Sequence, residues 1–295
     1  MSEIGFDQAS GLRRLFAGRR LQVISFAAAG EGVGKTHVVA NLAAALARQN
    51  LSVLVLDENS GQDNVAGLFG RHNGRDLLEI IQGRASMADI LVNVGDGVVI
   101  CPAARAVKTL GRLDVAQQEF LLSSLAALET PPDIILVDTA SDHLTGFSPF
   151  GLASPETVIV LSGNSHAITG AYSLIKRVAH EYGRRQFRVL INKVGNDAEA
   201  GQIFSNLSKV AAQRGVATLT LAGYLPDDGA VAHAAWLHQS VVDAFPAASS
   251  AQAFWSLALE LRRWAAGDDP AGIEQFMRHL LHLTQHIIPI GLPVR

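Results

Sequence analysis

Lys35 and Thr36 close a glycine-rich run, Ala29-Gly30-Glu31-Gly32-Val33-Gly34-Lys35-Thr36, that follows the apolar stretch Leu21–Phe26 and precedes an alanine-rich helical pattern over Val38–Arg48. Glycines let backbone N–H groups close around phosphate oxygens, and the helix behind them turns the positive end of its dipole to the same point. A lysine there reaches the β- and γ-phosphates of a nucleoside triphosphate, and the next hydroxyl ligates Mg²⁺. Gly30, Gly32, Val33, Gly34, Lys35 and Thr36 are therefore candidate nucleotide-binding residues, for a nucleoside triphosphate with Mg²⁺. The strict pattern has glycine where this chain has Ala29, but the preceding strand and following helix are in place.

Two aspartates end apolar runs. Asp138 closes Ile134-Ile135-Leu136-Val137-Asp138. A carboxylate at the carboxyl end of a buried strand is placed to hold the metal, directly or through water; the plainer reading is a helix cap. Thr36 and Asp138 are thus the candidate metal ligands. Asp57 follows Ser52–Leu56 in the same way, and Asp57-Glu58-Asn59-Ser60-Gly61-Gln62-Asp63-Asn64 reads as a loop over the phosphates. Asn192 ends a later strand, where its amide suits an adenine edge and equally a loop cap.

The elements that must position these groups are short β-branched or leucine-rich runs: Leu21–Phe26, Ser52–Leu56, Val98–Ile100, Ile134–Val137, Thr157–Leu161, Phe187–Ile191 and Ala217–Leu221. Most lack strict alternation, as strands buried on both faces do. Helical patterns lie between them over Val38–Arg48, Ala116–Leu128, Ala171–Tyr182 and Ala198–Gln213. Strand–helix alternation implies a three-layer α/β fold, a mostly parallel sheet flanked by helices.

A chain of 295 residues with 48% hydrophobic content is enough for one large core. A net charge of −3 gives no basic excess for nucleic acid, so no specific nucleic-acid partner is expected. The single cysteine, Cys101, forms no intramolecular disulfide and reads as a small buried residue in a reducing compartment. Neither a signal peptide nor a span-length apolar run is visible, so a cytoplasmic location is expected.

Taken together, Gly32-Val33-Gly34-Lys35-Thr36, Val53-Leu54-Val55-Leu56-Asp57, Leu136-Val137-Asp138-Thr139 and Gly223-Tyr224-Leu225-Pro226-Asp227-Asp228 resemble the MinD/ParA group of P-loop ATPases across residues 20–265. The resemblance implies a MinD-like fold over 21–266 that binds ATP, adds Asn192 and Pro226 as nucleotide contacts, and makes Asp57, Asn59 and Asp138 the catalytic positions. The N-terminal stretch Asp7-Gln8-Ala9-Ser10-Gly11-Leu12-Arg13-Arg14-Leu15 resembles the activator motif of the FlhG/FleN family, regulators of flagellar number. That implies an arm over residues 1–20 in which Asp7, Gln8, Ala9, Leu12 and Arg13 meet a signal-recognition-type flagellar GTPase. Further implied partners are a flagellar transcription activator or C-ring protein and a second copy in an ATP-dependent dimer. The resemblance also implies a membrane-targeting tail over 271–295, and so peripheral association with the inner face of the cell membrane.

The chain departs from the family at two positions. The signature lysine, which reaches the partner's phosphates across the dimer, is replaced by Gly30, with the acidic Glu31 beside it. The second switch aspartate, which orients the attacking water, is Asn59, and an amide does not take a proton. Positioning groups of this kind are commonly worth about 10²- to 10⁴-fold, so nucleotide binding with slow hydrolysis is expected. A ParA-type segregation ATPase and a nucleotide-independent scaffold are the alternatives.

The tail has its own pattern. Ile273, Phe276, Met277, Leu280, Leu281, Thr284, Ile287 and Ile288 share one helical face. The opposite face is rich in histidine and poor in Lys and Arg, which suits either weak contact with a membrane surface or packing on the chain's own domain.

Overall fold

The computed structural model describes residues 21–95, 97–141, 147–264 and 272–286. The arm positions Asp7, Gln8, Ala9, Leu12 and Arg13, and tail residues 287 onward, lie outside them. Eight strands form one sheet: β1 (Gln22–Ala27), β2 (Val53–Asp57), β3 (Val92–Gly95), β4 (Val98–Pro102), β5 (Ile134–Asp138), β6 (Glu156–Ser162), β7 (Gln186–Val194) and β8 (Thr218–Pro226). Their spatial order is β3-β4-β2-β5-β1-β6-β7-β8. Every pairing is parallel except the edge pair β3–β4.

The helices are α1 (Lys35–Ala47), α2 (Val65–Leu68), α3 (Leu77–Ile81), α4 (Met87–Ile90), α5 (Val115–Ala126), α6 (Pro149–Ala153), α7 (Ser165–Tyr182), α8 (Asp197–Gln213), α9 (Gly229–Trp236), α10 (Val241–Ala244), α11 (Ser249–Leu261) and α12 (Ile273–His286).

Period-two geometry explains the three layers. Successive strand side chains point to opposite faces, so Ile24, Phe26, Val53, Val55, Ile134 and Leu136 join one apolar layer with α1 and α11. Val23, Leu54, Leu56, Ile135 and Val137 join the other, with α3, α5 and α12. A third cluster fills the β6–β8 end under α7 and α8. Cys101 is buried in β4, and burial pushes its thiol pKa up.

The order places β1 between β5 and β6, with β2 on the far side of β5. The chain thus leaves β1 toward opposite halves of the sheet, and ligands bind where strand order reverses, outside the carboxyl ends. In register, Asp57 of β2 lies beside Asp138 of β5, and Phe26 of β1 lies beside Asp138. The three strand ends that carry the candidate chemistry are therefore adjacent.

The tail helix α12 packs on its own domain. Phe276, Met277, Leu280, Leu281 and Thr284 are buried against α6, α5 and the 3₁₀ turn Leu110–Arg112. Side chains of this size contribute about 1.5–3 kcal/mol each when fully buried. The approach is close: a Cβ on Gly111 would sit 3.1 Å from the Thr284 carbonyl oxygen. The described part of the apolar stripe, from Phe276 to Thr284, is thus covered by protein. No described helix is long and apolar enough to cross a membrane.

Candidate functional site

The glycine-rich run joins β1 to α1 as a strand–turn–helix. Gly32 and Gly34 have φ of +78° and +85°, a conformation that costs glycine little and other residues more. Gly34 is doubly constrained, because a Cβ there would lie 2.6 Å from the Asn192 side-chain nitrogen. It is also the N-cap of α1 and offers no side chain to the helix end. The first-turn N–H groups, which have no intrahelical partners, therefore face the loop concavity as an anion site.

Lys35 is buried, and its Nζ is hydrogen-bonded to Asp138 Oδ1 in an ion pair. Thr36 Oγ1 donates to Asp138 Oδ2 at 2.8 Å. The sequence-derived trio of Lys35, Thr36 and Asp138 is therefore brought together. A hydroxyl beside a fully buried carboxylate is the donor set Mg²⁺ accepts, since it takes one or two protein oxygens and fills the rest with water and phosphate. Lys35 and the loop N–H groups would bind the phosphates, and Thr36 and Asp138 would hold the ion. Bound Mg²⁺ would neutralise charge developing on the phosphate oxygens.

Asn59 is also in the site, in a specific way. Its Nδ2 donates to Asp138 Oδ2 at 2.7 Å and to Asp57 Oδ1 at 3.0 Å. An aspartate could make neither bond and would add a third carboxylate. Asn59 is thus an amide bridge between two buried acids. Asp57 Oδ1 also accepts from the Asn59 backbone N–H, and its Oδ2 from Val65 N–H at 2.7 Å. Both Asp57 oxygens are therefore engaged by the loop that follows β2, making it the loop's anchor. Burial, then the nearby Asp138 charge, push the Asp57 pKa up to about 7.

The loop's other side is held by β7. Asn192 Nδ2 donates to the Val33 carbonyl at 2.8 Å, and Lys193 Nζ donates to that of Gly32 at 2.9 Å. Asn192 thus reaches the phosphate loop through its amide. Pro226, at the end of β8, pairs with Val194, two residues beyond Asn192 in β7. Glu31 is exposed on the loop. Open space surrounds the Cβ direction of Gly30. His37, in the first turn of α1, is pushed below its ordinary pKa by burial and then by Lys193.

Glu58 and Ser148 belong to the site and were not singled out by sequence reasoning. Glu58 is buried beside Asp57. One of its carboxylate oxygens accepts from Ser148 Oγ and the other from Ala140 N–H at 2.8 Å. Burial raises its pKa to about 7. The only sequence signal was a third acid next to the strand end, which does not distinguish a solvated loop residue from a buried one.

Known proteins fit this geometry. Residues 24–241 match the family model described as the CobQ/CobB/MinD/ParA nucleotide binding domain. The chain is 32% identical to the antiactivator FleN of Pseudomonas aeruginosa over 266 residues, 90% of this chain and 94% of that protein. It is 29% identical to the flagellum site-determining protein YlxH of Helicobacter pylori over 64% of each chain. Among solved structures, the MinD cell division protein of Aquifex aeolicus matches with TM-score 0.62 at 20% identity, over 83% of this chain and 98% of that one. MinD of Pyrococcus horikoshii, complexed with Mg-ADP, matches with TM-score 0.61 at 20% identity over 83% and 98%. The chain belongs to the MinD/ParA family of P-loop nucleotide-binding proteins, and within it to the FlhG/FleN type.

Proposed function

We propose that this protein is a MinD-like regulator of flagellar number and placement that binds Mg-ATP and turns it over slowly. The observation that carries the reading is a complete phosphate and metal set in a chain similar to the antiactivator FleN along nearly its whole length. Lys35 binds the phosphates as a point charge, and Thr36 and Asp138 hold Mg²⁺. Asn192 and Pro226 border the base. Asn59 orients water weakly, because its amide has no carboxylate to accept a proton, and Gly30 provides no cation to a second protomer. ATP therefore favours a weak homodimer. Residues 1–20 engage a flagellar GTPase of the signal-recognition type, and a transcription activator or C-ring protein is the downstream target. A tail released from the domain contacts the inner face of the membrane.

The test is a count of flagella in a Pseudomonas aeruginosa strain lacking FleN. The intact chain should restore normal number, and Lys35→Ala and a chain without residues 1–20 should each fail while accumulating to the same level. Restoration by Lys35→Ala would overturn the nucleotide-dependent reading.

A further inference from the structure

Two consecutive residues at the end of β7 hold the phosphate loop from outside. Asn192 Nδ2 donates to the Val33 carbonyl at 2.8 Å, and Lys193 Nζ donates to the Gly32 carbonyl at 2.9 Å. Each carbonyl shares a planar trans peptide with the next N–H, and the two groups point in opposite directions. The carbonyls of Gly32 and Val33 are turned to β7, so the N–H groups of Val33 and Gly34 are turned to the phosphate concavity. Asn192 is a buried neutral amide and forms part of the wall. Lys193 is exposed and charged. Among the described residues no carboxylate lies within ion-pair distance of it.

The backbone is strained to make this contact. Lys193 has φ of +58°, a left-handed conformation that is uncommon outside glycine and clusters at functional sites. The β7–β8 register shifts between Ile191 and Val194, and such irregularities re-aim side chains beside active sites. The re-aimed stem runs over the loop: a Cβ on Gly34 would lie 3.5 Å from Lys193 Cε. Its charge is felt in the first turn of α1, where burial and then Lys193 hold His37 below its ordinary pKa. The rim of the loop itself offers only Gly30 and the exposed acid Glu31.

We propose that Lys193 is a positioning residue for triphosphate, whose ammonium clamps and polarises the Gly32–Val33 peptide and supplies a rim cation where the loop has Gly30 and Glu31. Three effects act together. A donor on the carbonyl strengthens the N–H of the same peptide as a hydrogen-bond donor to phosphate. A loop already held in shape has less freedom to lose when phosphate arrives. The positive charge offsets repulsion between Glu31 and the phosphates. All three act on the bound triphosphate and on the transition state alike, so they raise affinity and leave the chemical step unchanged. This role rests on the nucleotide-binding reading above and deepens it, because retention and turnover of the nucleotide are then set by different residues.

Isothermal titration of the full-length chain with Mg-ATP and with magnesium tripolyphosphate, beside single-turnover rates, tests this. Lys193→Met keeps an unbranched stem over Gly34 and removes the charge and the donor. Its affinity for Mg-ATP should fall about tenfold, the low end for a lost hydrogen bond from a charged group. Tripolyphosphate, which has no base, should lose as much, and both losses should shrink at high salt. Lys193→Arg should recover most of the affinity, since a guanidinium also donates to a carbonyl. Lys193→Gly, which relieves the left-handed backbone, should melt as the unmodified chain does and still bind weakly. Conversion of bound ATP should be as fast in Lys193→Met as in the unmodified chain.

Unchanged affinity in Lys193→Met, or in Lys193→Gly, would overturn the clamp while nucleotide binding stands. A loss for Mg-ATP without one for tripolyphosphate would also overturn it, by placing Lys193 against the base. So would slowed conversion in Lys193→Met, because the residue would then act on the transition state, and so would an Arg variant as weak as the Met one. If the unmodified chain binds neither ligand, the nucleotide-binding reading falls and the clamp falls with it.

Discussion

Two buried regions of this molecule are built on opposite principles. The carboxyl ends of β1, β2 and β5 gather Lys35, Asp57, Glu58 and Asp138 out of water, where each polar group is held by a named hydrogen-bond or ion-pair partner. The seat of α12 contains apolar side chains from α5, α6 and α12 around Leu280 and Phe276. Here no single contact is indispensable, and stability comes from the summed area removed from water. A substitution at the polar end should therefore act through a charge left unpaired. One at the tail should act through a void.

The largest effect is expected at Lys35. Truncating one member of a buried charge pair costs about 2–5 kcal/mol, and Lys35→Ala also removes the phosphate-binding cation. Its affinity for Mg-ATP should fall by about 30-fold or more, by that arithmetic. Isothermal titration would detect this, and unchanged affinity would place the phosphates elsewhere.

Leu280→Ala should come next. Core Leu→Ala changes cost about 2–5 kcal/mol. If the tail is an independent layer, the loss should appear as undocking of α12, seen as protease cleavage within residues 273–286, with nucleotide affinity unaltered. A lower affinity in this variant would show that the two regions are more tightly joined than their chemistry suggests.

Asn59→Asp should have a smaller effect. It removes the donor between Asp57 and Asp138, leaving a buried unsatisfied group at about 1–3 kcal/mol. Melting temperature without metal should drop, and millimolar Mg²⁺ should restore most of it. Destabilisation that Mg²⁺ leaves untouched would argue against three carboxylates converging there.

The smallest effect concerns pH. His279 on α12 is held below its ordinary pKa of 6.5 by burial first, then by His282 and Arg184. Its docked form resists protonation, so the docking contribution is fully present above pH 6.5 and is lost as pH falls below it. Tail release should therefore grow from pH 7 to pH 5.5, and His279→Gln should flatten that slope. A slope unchanged by the substitution would assign it to another group.

The two regions also differed in how far the sequence revealed them. Seven strands were legible because unbroken apolar runs bounded by charged or glycine residues have few other readings. β3 was not, since Val92–Gly95 is four residues long with Asn93 and Gly95 in it and depends on pairing with β4. Helices α9 and α11 were likewise unassigned. Lys35, Thr36 and Asp138 were legible because phosphate and metal chemistry restricts residue type and spacing together. The partners of Asn59 and Glu58 were not, because hydrogen bonds across 79 or 90 residues leave no local pattern. The α12 stripe was legible as a stripe only: amphipathic periodicity shows that a face will be covered and is silent on whether lipid or protein covers it.

The central claim is that this chain retains a triphosphate while its hydrolysis is handicapped at Gly30 and Asn59. A single-turnover assay with protein in excess over Mg-ATP tests it most directly. The unmodified chain should bind the nucleotide and convert it slowly. Gly30→Lys, which has open space to occupy, and Asn59→Asp should each help little. The double variant should exceed the product of the two single effects, because the defects act at successive steps. Brisk conversion by the unmodified chain would contradict the account, and so would single effects that simply multiply.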